Sequence, residues 1–159
     1  MINLTIPVKI YDLLILLTSN LRSILLLALR VTWGRQFMID GHGKVTHLDN
    51  VTSYFKDDLH IPLPHLNAFA VSWTELIGGA FLLVGVAGRF WATVLTVVMT
   101  VAFITAEPEK LHAIDDFVQA TAFPYLFASV VLMVFGPGRF SVDFLIQHFV
   151  LKRPDRTLA

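Results

Sequence analysis

Residues 66–89 read LNAFAVSWTELIGGAFLLVGVAGR, an apolar run of membrane length with one acidic side chain, Glu75, near its middle. About 20 apolar residues in an α-helix cross the roughly 30 Å hydrocarbon layer of a bilayer. On such a helix Ser72, Glu75 and Gly79 share one face, because they follow each other at steps of three and four. A small, polar face lets a neighbouring helix approach closely, so we expect this face to point into a helix bundle and away from lipid.

The whole chain has the composition of an integral membrane domain. Of its 159 residues 55% are hydrophobic and 15% are charged, against about 25% charged residues in an ordinary soluble domain. Lys and Arg total 12, as do Asp and Glu, so the net charge gives no affinity for polyanions, and we expect no nucleic acid partner. The chain has no cysteine, which excludes thiol chemistry, thiolate metal ligation and iron–sulfur clusters within it.

The predicted fold is all-α: a polytopic membrane four-helix bundle forming a single transmembrane domain over residues 1–159. The spans are expected at about residues 21–39, 66–88, 90–106 and 117–135. Before the first span we favour an interfacial helix that ends near Ser19 and Asn20, with one long tilted helix over residues 11–39 as the alternative. Pro124 predicts a kink in the fourth span.

The chain after the fourth span carries two further signals. The sequence GPGR at residues 136–139 predicts a turn, and Ser141 is a predicted helix N-cap with Asp143 in the first turn. Apolar residues then recur at helical spacing, which predicts an amphipathic interfacial helix over residues 141–151 that lies on the membrane surface.

The distribution of basic residues predicts the orientation. With four spans both chain ends lie on one side, and that side carries Lys9, Arg22, Arg89, Arg139, Lys152, Arg153 and Arg156, while the opposite connections carry Lys44, Lys56 and Lys110. Because basic residues are enriched on the cytoplasmic side of membrane proteins, both termini are expected in the cytoplasm.

Arg30 lies in the first predicted span. An arginine at mid-bilayer costs about 2.5–3.5 kcal/mol on insertion scales, so we expect Arg30 to face inward, with Glu75 as its partner. Two roles are open for this pair. It can be functional, as a polar centre that binds a quinone or conducts protons, or it can be a structural pair that fixes helix packing. A quinone headgroup needs hydrogen-bond donors beside an apolar slot, and Trp33, Thr100 and Tyr125 are candidates to supply them.

The connection over residues 40–65 is predicted to be an external loop, long enough to contain a short element near residues 51–55. Most of the histidines lie in this loop or in the later external connection, and they are His42, His47, His60, His65 and His112. Imidazole together with carboxylate suits Zn or Cu, although the spacing matches no standard metal motif. Metal binding and simple solvation of surface histidines both stay open.

Several motifs in order carry a resemblance to a known family. They are LRVTWGRQFMIDGHGK at residues 29–44, ELIGGAFLLVGVAGR at 75–89, an apolar third helix ending in a polar turn, and FGPGRFSVD at 135–143. Over about residues 25–144 the chain resembles the DoxX family of small four-helix membrane proteins, whose members are linked to thiosulfate:quinone oxidoreductase and other membrane redox complexes. The family pattern falls on Arg30, Gly34, Phe37, Gly41 or Gly43, Lys44, Glu75, Gly79, Gly85, Arg89, Gly136, Gly138, Ser141 and Asp143.

The resemblance implies an accessory or quinone-interacting subunit of a membrane-associated oxidoreductase in the bacterial inner membrane. It fixes no cofactor but makes quinone a candidate, and it implies a protein partner or a second copy of the chain besides the lipid bilayer. The chain has no self-contained catalytic motif, so a redox role requires a diffusible carrier or a separate subunit that bears a cofactor. The alternative is a non-catalytic membrane scaffold or metal-handling accessory that recruits a partner through its His- and Asp-rich external connections.

Overall fold

The structure, a computed structural model, describes the backbone of residues 5–150 and the side chains of residue 18 and residues 21–150. Every regular element in this part of the chain is helical, which confirms the all-α prediction for it. The α-helices are α1 (Thr5–Thr46), α2 (Leu48–Ser53), α3 (Pro64–Val84), α4 (Gly88–Ala106), α5 (Ile114–Val118), α6 (Phe123–Phe135) and α7 (Val142–Leu145). Two π-helical turns, Tyr54–Asp58 and Ile146–Val150, and one 3₁₀ turn, Pro108–Leu111, complete the list.

Helix α1 is continuous for 42 residues. The favoured interpretation, an interfacial helix that ends near Ser19 and Asn20, is therefore wrong, and the single long helix given as the alternative is the better description. One asparagine costs a helix less than about 0.7 kcal/mol in propensity, which is too little to end it. At 1.5 Å per residue α1 is about 63 Å long, roughly twice the thickness of a bilayer core.

Helices α1 and α3 are antiparallel and meet along glycines. A Cβ added to Gly34 would lie 2.8 Å from the backbone nitrogen of Leu83, and one added to Gly79 would lie 2.6 Å from that of Met38. A Cβ on Gly41 would overlap the backbone of α3. The two backbones therefore touch, as predicted for the face that carries Gly79.

The long helices enclose a common core. Helix α1 packs against α3 and α6, and α4 packs against the same two helices. The buried core side chains are Leu26, Phe37, Leu82, Ala92, Leu95, Met99 and Leu132. Among the described helices, α3 and α4 are long and apolar enough to cross a membrane, and α6 is a shorter apolar helix.

The predicted fourth helix, residues 117–135, is interrupted. Helix α5 ends at Val118, and α6 begins at Phe123 after a non-helical stretch. Pro124 lies in the first turn of α6, so the predicted mid-helix kink is wrong. Proline is well tolerated in a first turn, because the N–H that it lacks would have no partner inside the helix there.

The predicted loop over residues 40–65 is largely helical. Helix α1 continues to Thr46, and α2 and the first π-helical turn follow it, so that only residue 47 and residues 59–63 are non-helical. The short element expected near residues 51–55 is present, as the end of α2 and the start of that turn.

The C-terminal segment begins as predicted. The Oγ atom of Ser141 accepts a hydrogen bond from the N–H of Phe144 at 3.2 Å, which confirms Ser141 as the N-cap of α7. The helical path continues through the π-helical turn Ile146–Val150. Residue 151, the last of the predicted helix, lies outside the described residues, and the location of this segment on the membrane surface stays a prediction.

Candidate functional site

Glu75 pairs with Lys44, and the predicted pairing with Arg30 is wrong. The Nζ atom of Lys44 lies 2.6 Å from both carboxylate oxygens of Glu75. Side chains on a helix lean towards its N-terminus. Because α1 and α3 are antiparallel, Lys44 and Glu75 lean towards each other, while Arg30 leans away from Glu75.

Arg30 instead holds the turn at the opposite end of the helices. It is buried, as predicted, and its guanidinium donates to the backbone oxygen of Pro137 at 2.9 Å and to that of Phe140. Gly85 follows α3 in the left-handed region, with a φ of 78°, and a Cβ there would overlap the Arg30 guanidinium. Arg30 lies about 16 Å along the α1 axis from Gly41, the point at which α1 packs against α3 beside Glu75.

Asp143 completes this end of the molecule. Its carboxylate accepts hydrogen bonds from the N–H groups of Ala87 and Gly88, both at 2.7 Å, at the start of α4. A carboxylate at a helix N-terminus pairs with the free N–H groups and with the positive end of the helix dipole. The end that carries Arg30 and Asp143 is thus a set of structural contacts between turns.

A second polar pair lies close to Lys44 and Glu75. The hydroxyl of Tyr125 donates to Asp40 at 2.7 Å, and the amide of Gln36 donates to the other oxygen of Asp40 at 3.1 Å. The ring of Tyr125 makes edge contacts with Trp33 and Phe37, at centroid distances of 4.8 and 5.2 Å. These contacts fix the direction of the Tyr125 hydroxyl.

Both polar pairs line one cavity of about 820 Å³ between α1, α4 and α6, which we name the polar cavity. Its lining residues are Phe37, Ile39, Asp40, Gly43, Lys44, Val51, Tyr54, Glu75, Met99, Ala102, Ala106, Glu107, Thr121, Ala122 and Tyr125. Ligand sites in proteins typically have volumes of about 300–1,000 Å³ and combine an apolar wall with a few polar groups. The polar cavity has this character.

Glu107 lies at the rim of the polar cavity, beside the gap between α5 and α6. Its carboxylate accepts a hydrogen bond from the N–H of Thr121 at 3.2 Å and lies 3.7 Å from the Nζ atom of Lys110. Burial opposes ionisation of Glu107, but the hydrogen bonds from Thr121 and the charge of Lys110 outweigh it and lower the pKa of Glu107. Glu107 is therefore ionised at neutral pH, with the ammonium of Lys110 beside it.

A second space, which we name the apolar cleft, has a volume of about 760 Å³. It lies between α3, α4 and residues 50–61. Its lining residues are Lys44, Asn50, Val51, Tyr54, Phe55, Leu59, Ile61, Asn67, Val71, Glu75, Val97, Val98, Val101, Ala102, Thr105 and Ala106. Apart from the shared Lys44–Glu75 pair its wall carries no charged side chain.

Of the three predicted quinone contacts, only one lines the polar cavity. Tyr125 lines the polar cavity, and Trp33 packs behind its ring without lining the cavity. Thr100 is exposed on the outer side of α4, where its hydroxyl donates to the backbone oxygen of Thr96 at 2.7 Å. The structure does not bring Thr100 to the site.

Asp40 and Lys44 were not predicted as site residues, because the first helix was expected to end at residue 39, and Lys44 was named only as part of the family pattern. Gln36 lies within the predicted span but was not singled out. The sequence did contain one indication that the first helix continues to Lys44. Gly34, Phe37, Gly41 and Lys44 continue the stripe that begins at Arg30 at steps of four and three, which is the spacing of a single helix face.

The histidines do not gather into a metal site. Among the side chains that the structure describes, those of residue 18 and residues 21–150, no group of three or more His, Cys, Asp or Glu is placed to hold a metal ion. His47 lies 3.0 Å from the backbone oxygen of Gly43, and His60 lies 3.3 Å from that of Asp58. Both histidines thus make local contacts of the kind expected for surface residues.

Comparison with protein families gives one match. A family model described as DoxX matches residues 25–108, slightly more than half of the chain. Comparison with curated proteins and with solved structures gave no match. The matched region runs from α1 through α4 and contains Asp40, Lys44 and Glu75, but it ends before Tyr125.

Proposed function

The chain belongs to the DoxX family of membrane proteins, and from this we propose that it binds a quinone in the polar cavity. In this role it is an accessory or quinone-interacting subunit of a membrane-associated oxidoreductase. The observation that carries the proposal is the placement of the Lys44–Glu75 and Asp40–Tyr125 pairs on the wall of one otherwise mainly apolar cavity.

The polar groups match the hydrogen-bonding needs of both redox forms of a quinone. An ammonium has three N–H groups; the hydrogen bonds to Glu75 use two of those on Lys44, and the third can donate to a quinone carbonyl. In the reduced form the ligand carries hydroxyls, which can donate to the carboxylates of Asp40 and Glu75. Because the chain has no motif for a redox cofactor, the electrons come from a partner subunit.

The site lies within a proposed four-span arrangement. We place α1, α3, α4 and the α5–α6 segment across the bacterial inner membrane with both termini in the cytoplasm, because the seven basic residues counted in the sequence then lie inside. In this arrangement the Arg30 end faces the cytoplasm, and the polar cavity lies nearer the external side. Phe149 and Val150, 69% and 71% exposed, support a membrane-surface location for the C-terminal segment.

Quinone binding to the purified protein in lipid nanodiscs tests the proposal. Lys44→Gln replaces the ammonium by a shorter, uncharged amide and so removes the charged donor. Lys56→Gln is a matched control, because Lys56 is exposed and lines neither space. A hydrogen bond to a charged group contributes about 1.5–3 kcal/mol, so Lys44→Gln is expected to weaken binding at least about ten-fold. Lys56→Gln is expected to bind like the wild type. If the wild type binds no quinone, or if Lys44→Gln binds as tightly as Lys56→Gln, the proposal is wrong.

The identity of co-purifying proteins separates an oxidoreductase subunit from a scaffold. Purification in mild detergent followed by mass spectrometry is expected to recover a partner that carries a flavin, haem or iron–sulfur cofactor. A partner without a cofactor, together with no bound quinone, would favour the non-catalytic scaffold.

A further inference from the structure

The polar cavity and the apolar cleft are neighbouring spaces that share part of their walls. Six residues line both of them, and these are Lys44, Val51, Tyr54, Glu75, Ala102 and Ala106. The Lys44–Glu75 ion pair lies where the two spaces meet. A ligand that contacts this pair therefore lies beside both spaces.

The apolar cleft opens sideways, at the outer surface of the helices. Val97 and Val101 of α4 line it and are 59% and 52% exposed. In a membrane protein such apolar side chains on the outer face of a helix contact acyl chains. In the proposed four-span arrangement the opening between α3 and α4 therefore faces the hydrocarbon layer.

We propose that the apolar cleft holds the hydrocarbon tail of the quinone, whose headgroup occupies the polar cavity. The tail leaves the protein between α3 and α4, so the ligand enters from the bilayer. This inference rests on the proposed function and narrows its ligand class to lipid-soluble quinones with a long tail. Asp40 and Glu107 line the polar cavity alone, whereas the residues that line the apolar cleft alone are uncharged and include four valines, so the lining follows the change of polarity along such a molecule.

Two tryptophan substitutions on α4 test the tail site. Val101→Trp places a large side chain in the opening of the apolar cleft. Ile104→Trp is its matched control, because Ile104 is 54% exposed on the same helix and lines neither space. Each variant is compared with the wild type for two ligands in nanodiscs: a benzoquinone with a decyl tail, and the same ring with a methyl group in place of the tail. The ratio of variant to wild-type affinity removes the effect of tail partitioning into lipid.

The expected result is selective. Val101→Trp weakens binding of the tailed quinone at least about ten-fold, because overfilling a packed site is costly, and it leaves binding of the tail-less quinone unchanged. Ile104→Trp changes neither affinity. If Val101→Trp binds the tailed quinone like the control, or weakens both ligands equally, the tail site is refuted while headgroup binding stands. If the wild type binds neither ligand, the proposed function itself fails.

Discussion

The Lys44–Glu75 pair predicts a large difference in stability between two single substitutions. The side chain of Glu75 is 2% exposed and that of Lys44 is 36% exposed. Lys44→Met leaves a carboxylate without its partner among the helices, whereas Glu75→Gln leaves an ammonium that can turn to water. Lys44→Met should therefore destabilise the protein much more than Glu75→Gln does.

The magnitudes follow from the same burial. Removal of one partner from a fully buried ion pair costs about 3–5 kcal/mol; since Lys44 is about one third exposed, we expect about 2–4 kcal/mol for Lys44→Met. Glu75→Gln keeps one oxygen as an acceptor, so it should cost about 1 kcal/mol. The double variant has no stranded charge and should regain about 1–2 kcal/mol relative to Lys44→Met.

Reversible unfolding by sodium dodecyl sulfate in mixed micelles, followed by far-ultraviolet circular dichroism, gives these free energies of unfolding. Lys56→Gln serves as the control for removal of a lysine at a surface position. If Lys44→Met and Glu75→Gln are equally stable, or if the double variant is less stable than Lys44→Met, then Glu75 is not a buried carboxylate that depends on Lys44. Either result would mean that Glu75 is hydrated or has another partner.

Three further predictions use the same unfolding assay. Gly79→Ala should cost about 1–3 kcal/mol because its methyl group meets the backbone of α1, whereas Gly43→Ala, in open space, should be neutral or stabilising by up to about 1 kcal/mol; equal effects would contradict the glycine contact. Arg30→Met and Glu75→Gln should be additive within about 0.5 kcal/mol, because the two side chains hold opposite ends of the helix pair; a larger coupling would restore the pairing that the sequence suggested. Asp143→Asn should cost about 1 kcal/mol through its bonds to the start of α4 and leave quinone affinity unchanged; a loss of affinity would show that this end contributes to the site.

The helices α3 and α4 were predictable because each is a long, mainly apolar run with few charged residues. The length of α1 was not predictable. Asn20 and Gly41 are local signals for a helix end, but the packing of Gly41 against α3 outweighs its poor helix propensity. The gap between α5 and α6 was also missed, because the apolar sequence continues through it and Pro124 fits a helix start as well as a kink.

The sequence singled out Glu75 correctly as a buried acidic residue, yet it did not give the partner. Which cation reaches Glu75 depends on the register and the antiparallel direction of α1 against α3, and both arise from tertiary contacts at Gly34 and Gly79. Arg30 was the nearest cation in the predicted span, because Lys44 was assigned to a loop. The polar cavity itself depends on the interrupted fourth helix, so its wall at Tyr125 could not be assembled from the sequence.

The most direct test of a quinone headgroup site beside Lys44 and Glu75 is photolabelling with a quinone that carries a photoreactive group on its ring. After irradiation in nanodiscs and digestion, we expect mass spectrometry to find the label on peptides that contain residues 36–44 or 121–125, and we expect excess unlabelled quinone to suppress it. Labelling concentrated at residues 136–143, or labelling that unlabelled quinone does not suppress, would contradict a headgroup site beside Lys44 and Glu75.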